Sequence, residues 1–349
     1  MNQTQQILRD DVISINYENN LINNAKITKI AAAKINLNLK ILGKRQDNFH
    51  ELETVMQSIS LHDTITIFLE PLAKLKQDTN KQILLEIKSN LSSPQTNELI
   101  DLESNLIYKA AKIFLEKFGI EAKIKIICQK QIPIAAGLAG GSTDAAATLK
   151  GLSALFNYFF IERKNKEQLF SSTRKIKIKL NELIPLAEQL GADVPFCLFQ
   201  GTALCKGKGE IILPLNSFSE KPMILYYSAF PVYTAEAFKQ LNAQNYQETT
   251  IDTKNLIRQY NQHLLLNLSE LNHLWQNDFA DYLLTAYPKF REIIKIFEQT
   301  GAKLVRFSGS GPTIFAIYSD FSTRDKALKD LSKKKLAGEF ILCHTSNSR

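Results

Sequence analysis

The sequence predicts a two-domain protein that mixes β-strands with α-helices. Its 349 residues are more than one hydrophobic core usually organises and are a natural length for two domains. Strand-period and helix-period runs alternate from residue 30 to the C-terminus. The charge-and-proline stretch Ser217 to Pro222 marks the boundary.

Hydrophobic residues make up 44% and charged residues 22% of the chain, ordinary for a soluble globular protein. No apolar run approaches the roughly 18 residues of a membrane span. Cys128, Cys197, Cys205 and Cys343 lie far apart with no CxxC pair, which predicts buried free thiols in a reducing compartment and no zinc site. The net charge of +8 comes mostly from Lys scattered among Ile and Asn. That is compositional bias, and it also suits small polyphosphate ligands; neither a nucleic-acid nor a membrane partner is expected.

Met1 to Thr28 is polar and Asn/Gln-rich, interrupted by Asp10, Asp11 and Glu18. It lacks the apolar core of a secretory signal, and its acids are foreign to a transit peptide. The expectation is an extension with one short amphipathic piece near Val12 to Tyr17, in a bacterial cytoplasm. From Lys34, polar and apolar residues alternate to Ile41, as in a half-buried strand. Lys34 at its Ala-rich edge is either a solvent-facing strand lysine or a functional cation. Gly43 to Asn48 is a turn. His50 beside Phe49 suits a planar ligand as well as it suits an unremarkable loop. Strands follow at 54–61, 63–69 and 82–88. Asn105 to Phe118 has helical spacing and ends on Gly119 as a C-cap.

Ala122 to Cys128 alternates Ile with Lys, and Ala145 to Leu155 is helix-like. Between them runs Pro133-Ile-Ala135-Ala136-Gly137-Leu138-Ala139-Gly140-Gly141-Ser142-Thr143-Asp144. A strand, then glycines, then a helix start presents free backbone N–H groups to an anion. Ser142 and Thr143 suit the N-cap and Asp144 the first turn. Tight helix–strand packing is the alternative. No Gly-Lys-Ser/Thr follows, so this is not a Walker loop, and there is no His-Arg-Asp catalytic loop.

Residues 162–181 are Lys/Arg-dense, a solvated insertion or a polyanion-contacting patch. Leu183 to Leu190 is helical. Asp193 then stands in apolar company before Pro195, which fits a functional acid, a helix cap, or both. Gly201 to Pro214 is a hairpin turning at Lys206 to Gly209. Met223 to Tyr227 is a strand, and Thr234 caps a helix that includes Phe238. Helices are expected over 240–272, 275–280 and 288–301. Strands at 303–307 and 314–318 flank Ser308-Gly-Ser-Gly-Pro312, either a hairpin loop or a second part of a phosphate or substrate site.

Three of these stretches coincide in one family. Pro133 to Ala147 resembles the phosphate-loop motif of the GHMP kinases, the small-molecule kinases named for galactose, homoserine, mevalonate and phosphomevalonate. Phe307 to Phe315 resembles their third motif, and Ala33 to Leu37 their first. Gly43 to Leu52 and Leu190 to Pro195 are similar to the members that act on 4-diphosphocytidyl-2-C-methyl-D-erythritol in non-mevalonate isoprenoid synthesis. The resemblance runs from about Lys29 to the C-terminal strands.

The resemblance implies an α+β fold, with an N-terminal ribosomal-S5-domain-2-like domain over 29–215, a ferredoxin-like domain over 216–349, and 1–28 as the extension. ATP would donate its γ-phosphoryl group to the 2-hydroxyl of the cytidyl-diphosphate substrate. Asp193 would be the base, and Lys34 would keep it ionised. Pro133 and Ala135 to Thr143 would cradle ATP, with Asn105 and Lys130 near the adenosine. Phe49 would stack on the cytosine and His50 hydrogen-bond it; Asn36, Thr234 and Phe238 would contact substrate. Magnesium is expected with ATP, through Ser142 or Asp144. Phe49 stands where Tyr is frequent, Thr143 where Ser is frequent, and Ala139 where glycine is common, implying an ordinary backbone there. A mevalonate- or homoserine-type kinase, or a basic nucleic-acid-binding protein on an S5-like domain, are the alternatives.

Overall fold

The computed structural model describes residues 2–8, 11–18, 21–72, 82–89, 102–162, 169–172, 177–216, 218, 220–228, 232, 234–240 and 276–347. Half of the Lys/Arg-dense segment, residues 241–272 of the helix expected over 240–272, and Trp275 lie outside them.

The chain forms two compact units that are not consecutive in sequence. The first is Met1–Ala31, His62–Gln131 and Gly141–Leu198; the second is Ala32–Leu61, Ile132–Gly140 and Phe199–Arg349. The expected cut at 215/216 therefore falls inside the second unit. The cause is two very long strands, β3 (Leu21–Lys44) and β4 (His50–Glu70). At ~3.3 Å per residue a strand of 24 residues exceeds the reach of one small core, so each feeds both units.

In the first unit β1 (Asn2–Leu8) pairs antiparallel with β2 (Asp11–Glu18), and β2 with the start of β3. Ile13, Ile15, Ala25 and Ile27 are buried. The N-terminal segment is thus part of a packed sheet rather than an extension. Its Ile-x-Ile alternation is what buries it, and polar composition masks that signal. The second half of β4 pairs antiparallel with β6 (Ile120–Lys130), β6 pairs parallel with β5 (Ile83–Ser89), and the short β7 (Phe170–Ser172) pairs with the start of β6. Helix α1 (Leu106–Phe118) begins at Asn105, whose side chain accepts from Ile107 N at 2.8 Å, and ends on Gly119 at φ 58°. Helix α2 (Gly140–Glu162) packs Phe156 against Phe114 and Phe170. Helices α3 (Leu180–Leu190) and α4 (Val194–Phe199) follow.

In the second unit the first half of β4 pairs with β8 (Thr202–Gly207), which turns into β9 (Ile211–Pro214). A separate antiparallel sheet has the order β11-β12-β10-β13, where β10 is Pro222–Ser228, β11 Leu304–Phe307, β12 Ile314–Ile317 and β13 Gly338–His344. Its strands share a core with α5 (Thr234–Lys239), α6 (Ala280–Ala286), α7 (Lys289–Glu298) and α8 (Phe321–Ser332). A helix was expected to begin at residue 275, yet it begins at Ala280. Residues 276–278 instead run beside β3, with Leu39 N donating to Gln276 O and Asp278 N to Leu39 O. The Asn277 and Asp278 side chains bond backbone groups here, which competes with helix formation.

Candidate active site

Strand alternation puts Lys34, Asn36 and Asn38 on one face of β3 and Ile35 and Leu37 on the other. The expected half-buried strand is instead covered on both faces: Lys34 is 4% and Asn36 2% exposed, against 0% for Ile35 between them. A buried ammonium must be hydrogen-bonded. Lys34 Nζ donates to Asn36 Oδ1 at 2.8 Å and to Gly137 O at 3.4 Å.

The glycine loop bends back on this lysine. Lys34 N donates to Leu138 O at 3.1 Å. Ala135, Gly137 and Ala139 take φ values of 54°, 73° and 58°. Ala139 is therefore left-handed, contrary to the ordinary backbone expected of it, at a cost of about 1 kcal/mol. At Gly137 a Cβ would meet the Ser308 carbonyl oxygen and stand 2.9 Å from Gly311 O. Ser308 Oγ donates to Gly137 O at 2.8 Å. At Gly309 a Cβ would stand 3.4 Å from Asn36 Oδ1 and 3.8 Å from Lys34 Nζ. The two glycine loops and Lys34 thus form one cluster, and the loop at 308–312 is more than a hairpin turn. Sequence reasoning missed Asn277, whose Nδ2 donates to Phe307 O at 3.1 Å and Gly309 O at 2.8 Å and so holds that loop. It lies among residues expected to be helical, and no sequence period marks it.

The structure also brings His50 and Phe238 together. Their rings stack at 4.8 Å and 25°, and Phe238 packs edge-on against Phe279. Burial, and then the charge of Lys44, hold His50 below the ordinary imidazole value. Phe49 is half exposed, with Lys208 Nζ 4.7 Å from its ring centre. The turn between them is fixed by Arg45, which bonds Asp47 at 3.2 Å and Glu51 at 2.8 Å. Thr234 begins α5; its side chain lies outside the described residues.

In the first unit α2 begins at Gly140, two residues before the expected N-cap, so Ser142 and Thr143 lie in its first turn. The left-handed Ala139 stops the loop just before it. Asp144 is 3% exposed, and its Oδ2 accepts from Lys130 Nζ at 2.7 Å. Lys130 also bonds Asp63 Oδ2, and Asp63 Oδ1 accepts from Gln131 N at 2.5 Å. Burial, assisted by Asp63 and opposed by Lys130, pushes Asp144 up to about 7. Burial opposes the charge on Lys130, and the two carboxylates outweigh it, so its pKa rises. The ammonium of Lys130 and the amide oxygen of Asn105 are thus engaged within the protein. Asp193 is partly buried in the turn before α4; its carbonyl accepts from Cys197 N at 3.0 Å, and Pro195 stands in the first turn as expected. Among the described residues no cluster of three His, Cys, Asp or Glu could hold a metal ion, and no helix is long and apolar enough to cross a membrane.

Sequence profiles decide the family. The GHMP kinases N terminal domain matches residues 105–201 and the GHMP kinases C terminal domain residues 256–337. A 4-diphosphocytidyl-2-C-methyl-D-erythritol kinase of Clostridium perfringens is 33% identical over 330 residues, 91% of this chain and 98% of that one. The chain belongs to the GHMP kinases. This GHMP kinase is an ATP-dependent small-molecule kinase with a two-domain α+β fold. The fold matches a crystal structure of 4-(cytidine 5'-diphospho)-2C-methyl-D-erythritol kinase with TM-score 0.65 at 24% identity, covering 91% of this chain and 99% of that one. A homoserine kinase from Cytophaga hutchinsonii matches with TM-score 0.63 at 17% identity, over 95% and 98%. Both likenesses are of fold.

Proposed function

We propose that this GHMP kinase phosphorylates the 2-hydroxyl of 4-diphosphocytidyl-2-C-methyl-D-erythritol, giving the 2-phosphate and ADP. The observation that carries the reading is the 33% identity across nearly the whole length of a kinase named for that substrate. The stacked His50 and Phe238 rings and the half-exposed Phe49, next to His50 in sequence, add aromatic chemistry suited to a nucleobase.

Asp193 takes the proton of the hydroxyl, whose oxygen attacks the γ-phosphorus as the bond to the β-phosphate oxygen breaks and ADP leaves. Lys34 and Asn36 orient the hydroxyl and the transferring group. Such a reaction asks chiefly for positioning and charge stabilisation. Residues 135–143 supply loop and first-turn amides to the phosphates, with Pro133 lining the loop. Phe49, His50, Thr234 and Phe238 take the cytidine. Asn105 and Lys130 belong to the adenosine end; with their side chains engaged, they act there as supports. Magnesium, held mainly by phosphate oxygens and water, would neutralise charge on the phosphates. Ser142 and Asp144 are its candidate donors: Asp144 Oδ2 accepts from Lys130, while its buried Oδ1 has no hydrogen-bond partner among the described residues. The setting is cytoplasmic, with no nucleic-acid or membrane partner.

The test is ADP release with the cytidyl acceptor, mevalonate and homoserine in parallel. Turnover of the cytidyl acceptor alone is expected. Turnover of mevalonate or homoserine without it would overturn the assignment. Asp193→Asn should lower turnover by roughly 10²–10⁴, the usual worth of a general base, while ATP still binds. Near-normal turnover would make Asp193 structural.

A further inference from the structure

We propose that Thr54 is a positioning residue for phosphoryl transfer: its hydroxyl fixes the Asn36 amide and, through it, the direction of the Lys34 ammonium. The inference rests on the role given to Lys34 above. Thr54 sits on β4 and is fully buried. Its Oγ1 lies 2.6 Å from Asn38 O and 2.9 Å from Asn36 Nδ2. A carbonyl oxygen only accepts, so the single hydroxyl proton of Thr54 is spent on Asn38 O. Toward Asn36 the hydroxyl can then only accept, which demands the NH₂ end of the amide. That leaves Asn36 Oδ1 facing Lys34 Nζ, and the 2.8 Å contact there requires an acceptor, because an ammonium only donates.

Both ends of the chain therefore impose one amide orientation. Asn38 Oδ1 also accepts from Val55 N at 2.5 Å, which holds β4 in place beside Thr54. A β-branched side chain with few χ1 states keeps the hydroxyl where the relay needs it. Valine at this position has nearly the same shape and no acceptor. Asn36 would lose its partner, the amide could turn, and an NH₂ group would face the ammonium.

Thr54→Val, Thr54→Ser, Asn36→Ala and the double variant Thr54→Val/Asn36→Ala are compared by kcat, KM for ATP and thermal melting. Thr54→Val should lower kcat roughly 10–100-fold, as misplacement of about an ångström does, with KM for ATP nearly unchanged. Thr54→Ser should restore kcat to within about threefold, because serine keeps the relay. In the Asn36→Ala background Thr54→Val should add no further loss, the mark of residues acting as one unit. A Thr54→Ser enzyme as slow as Thr54→Val, or full additivity, would overturn the proposal. Should Thr54→Val fail to fold, Thr54→Ala is compared with Thr54→Ser on the same terms. Lys34→Met separates this inference from the reading beneath it. Wild-type turnover in Lys34→Met removes the role of Lys34 itself; an inactive Lys34→Met beside a fully active, folded Thr54→Val removes only the relay.

Discussion

At the scale of single residues, the site is built by burying charge and then giving it partners. The buried Lys34 donates to Asn36 Oδ1 and to the Gly137 carbonyl, the kind of partners a buried ammonium needs. His50 shows the opposite treatment. Burial and Lys44 disfavour its charged form, so the imidazole is neutral at pH 7 and protonates only below its ordinary value of about 6.5. If neutral His50 hydrogen-bonds the cytosine, KM for the cytidyl acceptor should stay flat from pH 8 to about 6.5. It should rise only as the pH falls further, with KM for ATP unaffected. In His50→Ala the acceptor KM should rise at every pH far more than the ATP KM. An acceptor KM that climbs between pH 8 and 7 in the wild type would contradict the depressed His50 pKa, and an equal loss for both ligands in His50→Ala would show that His50 only supports the fold. The sequence made Lys34, Asn36 and His50 visible as candidates. It could not show that both faces of β3 are covered, because period-2 alternation is shared by half-exposed and fully buried strands. It also could not show that Lys130 is engaged, because Asp63 lies 67 positions away in the chain.

At the scale of elements, the glycine loop shows why one of its left-handed positions must be glycine and another can be alanine. Gly137 is obligatory by space, since a Cβ would run into the Ser308 carbonyl and stand 2.9 Å from Gly311 O. Ala139 is tolerated by space and strained only by its φ of 58°. The two positions should therefore respond in opposite ways. Gly137→Ala should part the two glycine loops, raising KM for ATP and lowering the melting temperature by several degrees. Ala139→Gly exchanges relief of about 1 kcal/mol of left-handed strain against a similar gain in unfolded-chain entropy. Its stability should stay within about 1 kcal/mol of wild type, with ATP binding kept. Calorimetry and ATP titration on both variants check this, and an Ala139→Gly as damaging as Gly137→Ala would refute it. The motif itself was legible as strand, glycines and helix start. The helix start at Gly140 was not, because Ser and Thr suit an N-cap wherever a free amide is near, and only the left-handed Ala139 decides which residue begins the helix.

At the scale of the whole molecule, the two compact units are woven from separate stretches of chain, and this makes the N-terminus structural. The composition of residues 1–28 suggested a solvated extension, yet Ile13 and Ile15 are buried and β2 is in register with β3 from Ile13↔Ile27 onward. Removing residues 1–18 takes away both isoleucines, each worth about 1.5–3 kcal/mol of buried surface, as well as the β2 partner of β3. The transferred area overstates the effect, since unfolded chains already bury part of it. A net loss of a few kcal/mol lowers the melting temperature by roughly 10 °C in a protein of this size. The truncated chain should melt about that much earlier, while KM for ATP and for the cytidyl acceptor measured well below the new midpoint stay close to wild type, because none of the residues assigned to either ligand precedes Lys34. The single variants Ile13→Ala and Ile15→Ala should each lower the melting temperature by part of that shift, each through the cavity left by a buried isoleucine. A truncated chain that melts with the wild type would mean that β1 and β2 add nothing to the first unit. Altered KM values at unchanged stability would instead give this segment a part in ligand binding that the packing of Ile13 and Ile15 does not predict.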